Sequence, residues 1–236
     1  MSHIQKVAIV TGASQGLGAG IVQGYRDKGY AVVANSRHIQ PSADDGVVTV
    51  PGDIGDPEVA RRIVDTAVAR FGRVDALVNN AGLFVAGDMA EMTEDQYRRV
   101  LRTNLDGFFF VTQQAVPVMR QQKSGHIVQI STTLVEHALS QVPSILASLT
   151  KGGLTAATRG LALELAAHNI RVNAVAPGII RTPLHAPDTI DALKGFAPLN
   201  RVGEVEDVVQ AVLYLESAGF VTGEILHVDG GAIAGH

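Results

Sequence analysis

Short runs of β-branched and other apolar residues alternate along the chain with longer stretches whose apolar positions recur every three or four residues. The short runs, at residues 7–11, 31–35, 47–51, 76–79, 126–131, 171–176 and 225–228, predict strands. Most are apolar at every position, the pattern of strands covered on both faces in a parallel sheet. Helical spacing marks residues 18–28, 57–71, 96–122, 151–168 and 206–216. Asp56 followed by Pro57 reads as an N-cap with proline at the first helical position. Strand and helix alternating in this way predict a doubly wound α/β fold, a mostly parallel seven-stranded sheet with helices on both faces. No linker, repeat or low-complexity tract interrupts the alternation, so residues 1–236 are expected to form a single domain. Residues 183–198 are the least regular and are expected to form a lid with a short helix near 189–193.

Composition narrows the function. The chain is 46% hydrophobic and 18% charged, enough for a sizeable core. A formal net charge of -4 provides no basic field for nucleic acid. The absence of cysteine excludes disulfides, thiolate metal sites and a cysteine nucleophile, and no metal site is expected. The N-terminus runs into an apolar strand with no leader pattern, and no apolar run approaches the ~20 residues that span a bilayer, so a cytoplasmic protein is expected.

The segment Thr11-Gly12-Ala13-Ser14-Gln15-Gly16-Leu17-Gly18 follows the first strand and opens the first helix. Gly12 permits a tight turn, Gly16 lets backbone approach a diphosphate, and Gly18 lets the helix pack close to the sheet. Free N–H groups at the helix start then face the anion. The spacing is G-x-x-x-G-x-G, and further motifs follow in order. Asn79-Asn80-Ala81-Gly82 ends the fourth strand, Asn104 lies in the next helix, and Lys151 follows the fifth strand. Pro177-Gly178 with Thr182 follows the sixth, and Asp229-Gly230-Gly231 stands near the C-terminus. With these motifs the chain resembles the short-chain dehydrogenase/reductase family over essentially its whole length. The resemblance implies a Rossmann-type fold and an oxidoreductase that binds a nicotinamide dinucleotide.

The second strand ends Ala34-Asn35-Ser36-Arg37. An acidic residue there would hold a ribose diol and repel a 2′-phosphate, whereas Arg37 and the Ser36 hydroxyl suit a phosphate. NADP(H) is therefore preferred, with NAD(H) as the alternative. By resemblance, Asp53 and Ile54 flank the adenine, Asn80, Ala81 and Gly82 approach the cofactor, and Lys151 holds the ribose. Pro177, Gly178, Ile180 and Thr182 lie by the nicotinamide on the same grounds.

Members of the family usually pair a serine, a tyrosine and a lysine with a supporting asparagine. The tyrosine moves the proton, the lysine lowers the tyrosine pKa, and the serine orients the substrate oxygen. Asn104 and Lys151 match that pattern here. Thr132 falls at the serine position with Ser131 just before it. The tyrosine position, four residues before Lys151, holds Ala147. A methyl group exchanges no proton. The tyrosines at 25, 30, 97 and 214 all fall in other elements.

The loop from Thr132 to Lys151 is longer than usual and carries Glu136, His137, Ser140 and Ser144. His137 is the best substitute acid or base by ordinary pKa, and His185 is a second candidate. Ser144, Ser148 or a water near Lys151 and Asn104 would also complete a relay. The pocket is expected at Leu83, Phe84, Val85, Leu134, Val135, Val142, Ile145, Leu146 and the 183–198 segment, which suits a small, largely apolar substrate.

Two readings remain open. One is an oxidoreductase acting on a carbonyl or alcohol with an altered proton relay. The other is a dinucleotide-binding sensor or scaffold without turnover. A substitution introduced at Ala147 into an ordinary reductase fits less well, because the neighbouring Ile145, Leu146 and Leu149 are also apolar. Helices 96–122 and 151–168 carry apolar and small faces, and a homotetramer, or else a homodimer, is expected.

Overall fold

The computed structural model describes residues 5–184 and 190–235. Seven parallel strands form its sheet in the order β3-β2-β1-β4-β5-β6-β7. They are β1 (Val7–Thr11), β2 (Ala31–Ser36), β3 (Val47–Pro51), β4 (Ala76–Asn79), β5 (Gly125–Ile130), β6 (Ile170–Pro177) and β7 (Ile225–Val228). The helices are α1 (Gly16–Asp27), α2 (Pro57–Phe71), α3 (Glu94–Leu101), α4 (Gly107–Gln122), α5 (Ile145–Leu165) and α6 (Val205–Ser217).

Strand register sorts the apolar residues onto two faces. Ile9 is level with Val33 and Leu77, Leu77 with Ile127, and Ile127 with Val172. These residues point toward α2, α4 and α5 and are fully buried there. Their neighbours Ala8, Val32, Ala76 and Val128 point the other way, under α1 and α6. Apolar residues at every strand position are thus explained by helices covering both faces. The chain builds outward from β1 to β3, then returns to lay β4 on the other side of β1. That reversal opens a crevice at the carboxyl ends of β1 and β4, where ligands of such sheets bind.

Most boundaries fall within two residues of those predicted, and three differences bear on the site. The helix expected over 96–122 is two helices joined by a π-helical turn, Arg102–Asp106. The wider turn lets Asn104 reach inward, where it is buried and hydrogen-bonded. Helix α5 begins at Ile145 rather than Lys151, because Leu146, Ala147, Thr150 and Lys151 share its buried face. Ser131 lies past the end of β5, although its N–H still pairs with the Val175 carbonyl at 2.8 Å. Within the irregular 183–198 stretch, Ile190–Phe196 forms 3-10 turns. Residues 185–189, including His185, lie outside the described residues.

At the opposite end of the sheet from the crevice, Glu216 of α6 gathers three donors. They are the hydroxyls of Tyr25 (3.2 Å) and Tyr30 (2.9 Å) and Nδ1 of His126 (2.8 Å). Asn173 Nδ2 lies 3.1 Å from His126 Nε2, so the histidine is neutral with its proton on Nδ1. Burial lowers the His126 pKa. Burial acts to raise the Glu216 carboxyl, but bonding to His126 and Tyr30 and the Arg171 charge outweigh it and hold the carboxyl below its ordinary value. Both folded-state pKa values lie below the unfolded ones, so this stability is lost as pH falls, starting below the ordinary histidine value of 6.5. Glu216→Gln is expected to cost about 2 kcal/mol at pH 7 and, because the Glu216 charge favours protonated His126, to steepen the loss of stability below pH 6.5. Thermal unfolding from pH 7 to pH 4 measures both effects.

Candidate active site

The glycine turn between β1 and α1 lies at the crevice. Gly12 has φ +65°, and a Cβ there would come 2.8 Å from the Ala81 Cα. Gly16 has φ +54° and meets only side-chain atoms of Thr182 (3.4 Å) and Pro183 (3.6 Å) where a Cβ would sit, so its backbone remains approachable. Gly18 is the most tightly packed. A Cβ there would fall 2.1 Å from the Gly12 carbonyl oxygen and 2.7 Å from Asn80 Nδ2. Its close contacts are with Gly12 and Asn80, the residues that directly follow β1 and β4. Gln15 at the N-cap makes no side-chain capping bond, so its side chain leaves the first N–H groups of α1 available to an anion. Ser14 is exposed and Leu17 packs against the core.

Thr11, which sequence reasoning passed over, stitches this turn to the end of β4. Its hydroxyl accepts the N–H of Asn80 (3.1 Å) and of Ala81 (3.0 Å). Asn80 Nδ2 in turn donates to the carbonyls of Thr11 (2.9 Å) and Gly12 (3.2 Å). The position directly before the first glycine was the available signal.

At the end of β2, Ser36 is half-buried and Arg37 exposed. Ser14, His38, Gln40 and Ser42 help line a cavity of about 430 Å³ beside α1. Asp53, past β3, pairs with Arg102 at 2.8 Å and accepts the Gly55 N–H at 3.0 Å. Burial acts to raise the Asp53 pKa, but these two bonds and the charges of Arg102 and Arg37 hold it below the ordinary value. Ile54 is buried against Gly107 at the start of α4 rather than open for a ring to stack on.

Lys151, Asn104 and Gly82 come together at the inner end of the crevice. Lys151 is buried and donates from Nζ to the Ile130 carbonyl at 2.7 Å. Burial pushes its pKa down to about 8. A Cβ on Gly82 would lie 3.1 Å from that Nζ and 3.6 Å from Asn104 Oδ1, so only glycine leaves this space open. Asn104 accepts the Leu83 N–H at 2.8 Å and donates to the Leu83 carbonyl and the Thr150 hydroxyl, each at 3.0 Å. Thr150 is a second residue missed from sequence. It lies beside Lys151 and donates back to the Leu146 carbonyl at 2.7 Å.

Ala147 is buried one helical turn before Lys151, on the same face of α5. Thr132 is half-buried, and its hydroxyl accepts the Leu134 N–H. The Ser131 hydroxyl is turned into the core, 3.0 Å from that of Thr155. The Ile180 side chain is likewise directed into the core, against Gly203. Pro177 is buried, and Gly178 packs closely on Asp229. Half-buried His137 follows the short turn Thr133–Val135, and Glu136 lies 3.3 Å from His227. Tyr25 and Tyr30 are committed to Glu216, while Tyr97 and Tyr214 lie on the surfaces of α3 and α6. Among the pocket residues expected from sequence, Val142 and Ile145 line a cavity of about 270 Å³ together with Met89, Leu139, Ser144 and Ser148.

A parallel sheet with an uncapped, glycine-lined helix start at its topological switch, and a buried lysine nearby, defines a dinucleotide-binding enzyme fold. A family model described as enoyl-(acyl carrier protein) reductase matches residues 12–232. A 3-oxoacyl-(acyl-carrier-protein) reductase of Thermotoga maritima is 34% identical over 242 residues, 97% of this chain and 98% of that one. An acetoacetyl-CoA reductase of an Acinetobacter species is 37% identical over 243 residues, 96% and 97% of the two chains. The solved structure of ElxO with NADP bound superposes with a TM-score of 0.92 at 29% identity, covering 98% of this chain and 99% of that one. The chain belongs to the short-chain dehydrogenase/reductase family, whose members are NAD(P)-dependent oxidoreductases.

Proposed function

We propose that this chain is an oxidoreductase that interconverts a carbonyl and an alcohol with NADP(H), using a proton relay that does without tyrosine. The observation that carries the reading is the retained group of Lys151, Asn104 and Gly82 beside Ala147. The cofactor site fits the chemistry it would serve. The α1 N-terminus with Gly12, Gly16 and Gly18 receives the diphosphate, Ser36 and Arg37 the 2′-phosphate, and Asp53 with Ile54 the adenine. Asn80, Ala81, Gly82 and Lys151 border the ribose and nicotinamide, with Pro177, Gly178, Ile180 and Thr182 on the other side. Ile180 contributes backbone only, and Ile54, buried against Gly107, offers the adenine backbone and no side-chain face. When bound, the cofactor supplies or accepts hydride.

Asn104 and Lys151 are the proposed catalytic residues, with Thr132 orienting the substrate oxygen. The Lys151 ammonium, with a pKa of about 8, can hold or yield a proton near neutral pH. His137 keeps its candidacy as a relay group, whereas Ser131 is engaged by Thr155. The apolar cavity near Val142 and Ile145 supports a small, largely apolar substrate, and Ser144 and Ser148 place hydroxyls on its wall. The relatives' names show that reductases of acyl substrates share this framework.

A panel of carbonyls and alcohols assayed with NADPH and NADP is expected to give turnover, with NADPH bound more tightly than NADH. Ala147→Tyr is expected to lower that turnover, because a phenol overfills a buried site by about 1–3 kcal/mol and displaces the relay. Tight binding without turnover across the panel, with activity appearing only in Ala147→Tyr, instead marks a sensor or scaffold that has lost one side chain.

The single-domain and cytoplasmic assignments belong to this reading. No helix among the described residues is long and apolar enough to cross a membrane. So does a homotetramer, supported by large apolar residues exposed on Phe109 of α4, Leu149 and Leu163 of α5, and Tyr214 and Phe220 around the α6 end. Light scattering that shows a monomer at micromolar concentration removes that part.

A further inference from the structure

The segment proposed to hold the adenine grips the π-helical turn that carries Asn104, and it does so at both ends. At the first end, Asp53 Oδ2 accepts from Arg102 Nε at 2.8 Å. The aliphatic stem and carbonyl of Arg102 press on Gly55, where a Cβ would meet Arg102 Cγ at 2.5 Å and its oxygen at 2.7 Å. At the far end, Ile54 packs on Gly107, where a Cβ would lie 2.6 Å from Ile54 Cγ2. Between these two grips sits Asn104, bonded to Leu83 and, through Thr150, to the turn of α5 that bears Lys151. Three consecutive residues after β3 are thus in direct contact with the element that positions the hydride end of the site.

We infer that Arg102 is a positioning residue, through which occupancy of Asp53–Gly55 by adenine sets the geometry of the Arg102–Asp106 turn and of Asn104. This rests on the proposed cofactor reading. The Arg102–Asp53 pair is half-exposed, with side-chain exposures of 52% and 39%. Such a pair adds little to the stability of the free protein. An adenine ring seated over it would exclude water and strengthen it, so its contribution is made when the cofactor is bound. A π-helical turn suits this role, because such irregular turns inside helices are frequent at functional sites.

The test compares the full chain with Arg102→Gln and Arg102→Lys, using NADPH and 2′,5′-ADP, which carries only the adenosine half. In the parent chain, 2′,5′-ADP is expected to shift the side-chain amide resonance of Asn104, although the ligand ends far from it. In Arg102→Gln, NADPH affinity is expected to fall about tenfold while 2′,5′-ADP affinity falls less than about threefold, and the Asn104 shift is lost. Arg102→Lys, which keeps the charge, is expected to restore most of both. Equal losses for the two ligands would make Arg102 a simple adenine contact and overturn the inference. An Asn104 resonance that ignores 2′,5′-ADP binding in the parent chain overturns it too, with the cofactor reading intact. If 2′,5′-ADP and NADPH both fail to bind the parent chain, the cofactor reading falls and takes the inference with it.

Discussion

Gly18→Ala is expected to abolish NADPH binding and to destabilise the fold by about 3 kcal/mol, the upper range for an overfilled site. The added methyl would stand 2.1 Å from the Gly12 carbonyl oxygen and 2.8 Å from its carbon, atoms of a backbone that has nowhere to retreat. Asn80 cannot yield either, since its amide is held by the Thr11 and Gly12 carbonyls. The turn must therefore lift away from β4, carrying the first N–H groups of α1 out of line with a diphosphate. Gly160→Ala serves as the control. It lies far from the glycine turn with nothing of its own chain within 4 Å of a Cβ, and is expected to leave NADPH binding unchanged. Calorimetry with NADPH and thermal unfolding read both variants. Near-normal binding by Gly18→Ala would show that the anion is held elsewhere.

Lys151→Met is expected to eliminate turnover while making the protein more stable at neutral pH. The Lys151 pKa falls from 10.5 in the unfolded chain to about 8 in the fold because burial penalises its charge. Above pH 10.5 the lysine is neutral in both states and costs nothing. Between about 8 and 10.5 only the unfolded chain holds the proton, so stability rises with pH across that window. Below about 8 the buried charge is carried in full. Methionine removes that cost and gives up one hydrogen bond to Ile130, for a net gain of about 2 kcal/mol at pH 7. The difference in stability between the two proteins should shrink as pH rises through the window. Loss of turnover is expected to exceed about a hundredfold, the usual contribution of a positioned acid or base. A variant that loses stability at pH 7, or that turns over normally, contradicts the role given to this lysine.

Where a local rule governed an element, its limits were legible from sequence. Helix α2 runs Pro57–Phe71 as read, because the Asp56 side chain caps the Glu58 N–H and Gly72 closes the other end in the left-handed conformation. Strands β1, β3, β4 and β7 also keep their predicted limits, since short, mostly apolar runs bounded by polar or turn residues leave little freedom. The break in helix 96–122 is not legible in sequence, because Asn104 there bonds to Leu83 and Thr150, partners distant in sequence. The start of α5 is obscured because exposed Ile145 and Leu149 blur the helical period that the buried residues keep. Sequence order marked Ser131 and Ile180 as site residues, but Thr155 and Gly203 take up their side chains.

The chain by itself determined the class of sheet, the glycine turn, and the placing of Ala147 one helical turn before Lys151, because each is written in adjacent residues or a fixed helical repeat. Only the tertiary structure decided what those residues face. The contacts of Arg102 with Asp53, Asn104 with Thr150, and Thr11 with Asn80 join segments separated by 49, 46 and 69 positions. Such contacts are fixed by how helices settle on the sheet, and that packing depends on the whole set of side chains at once.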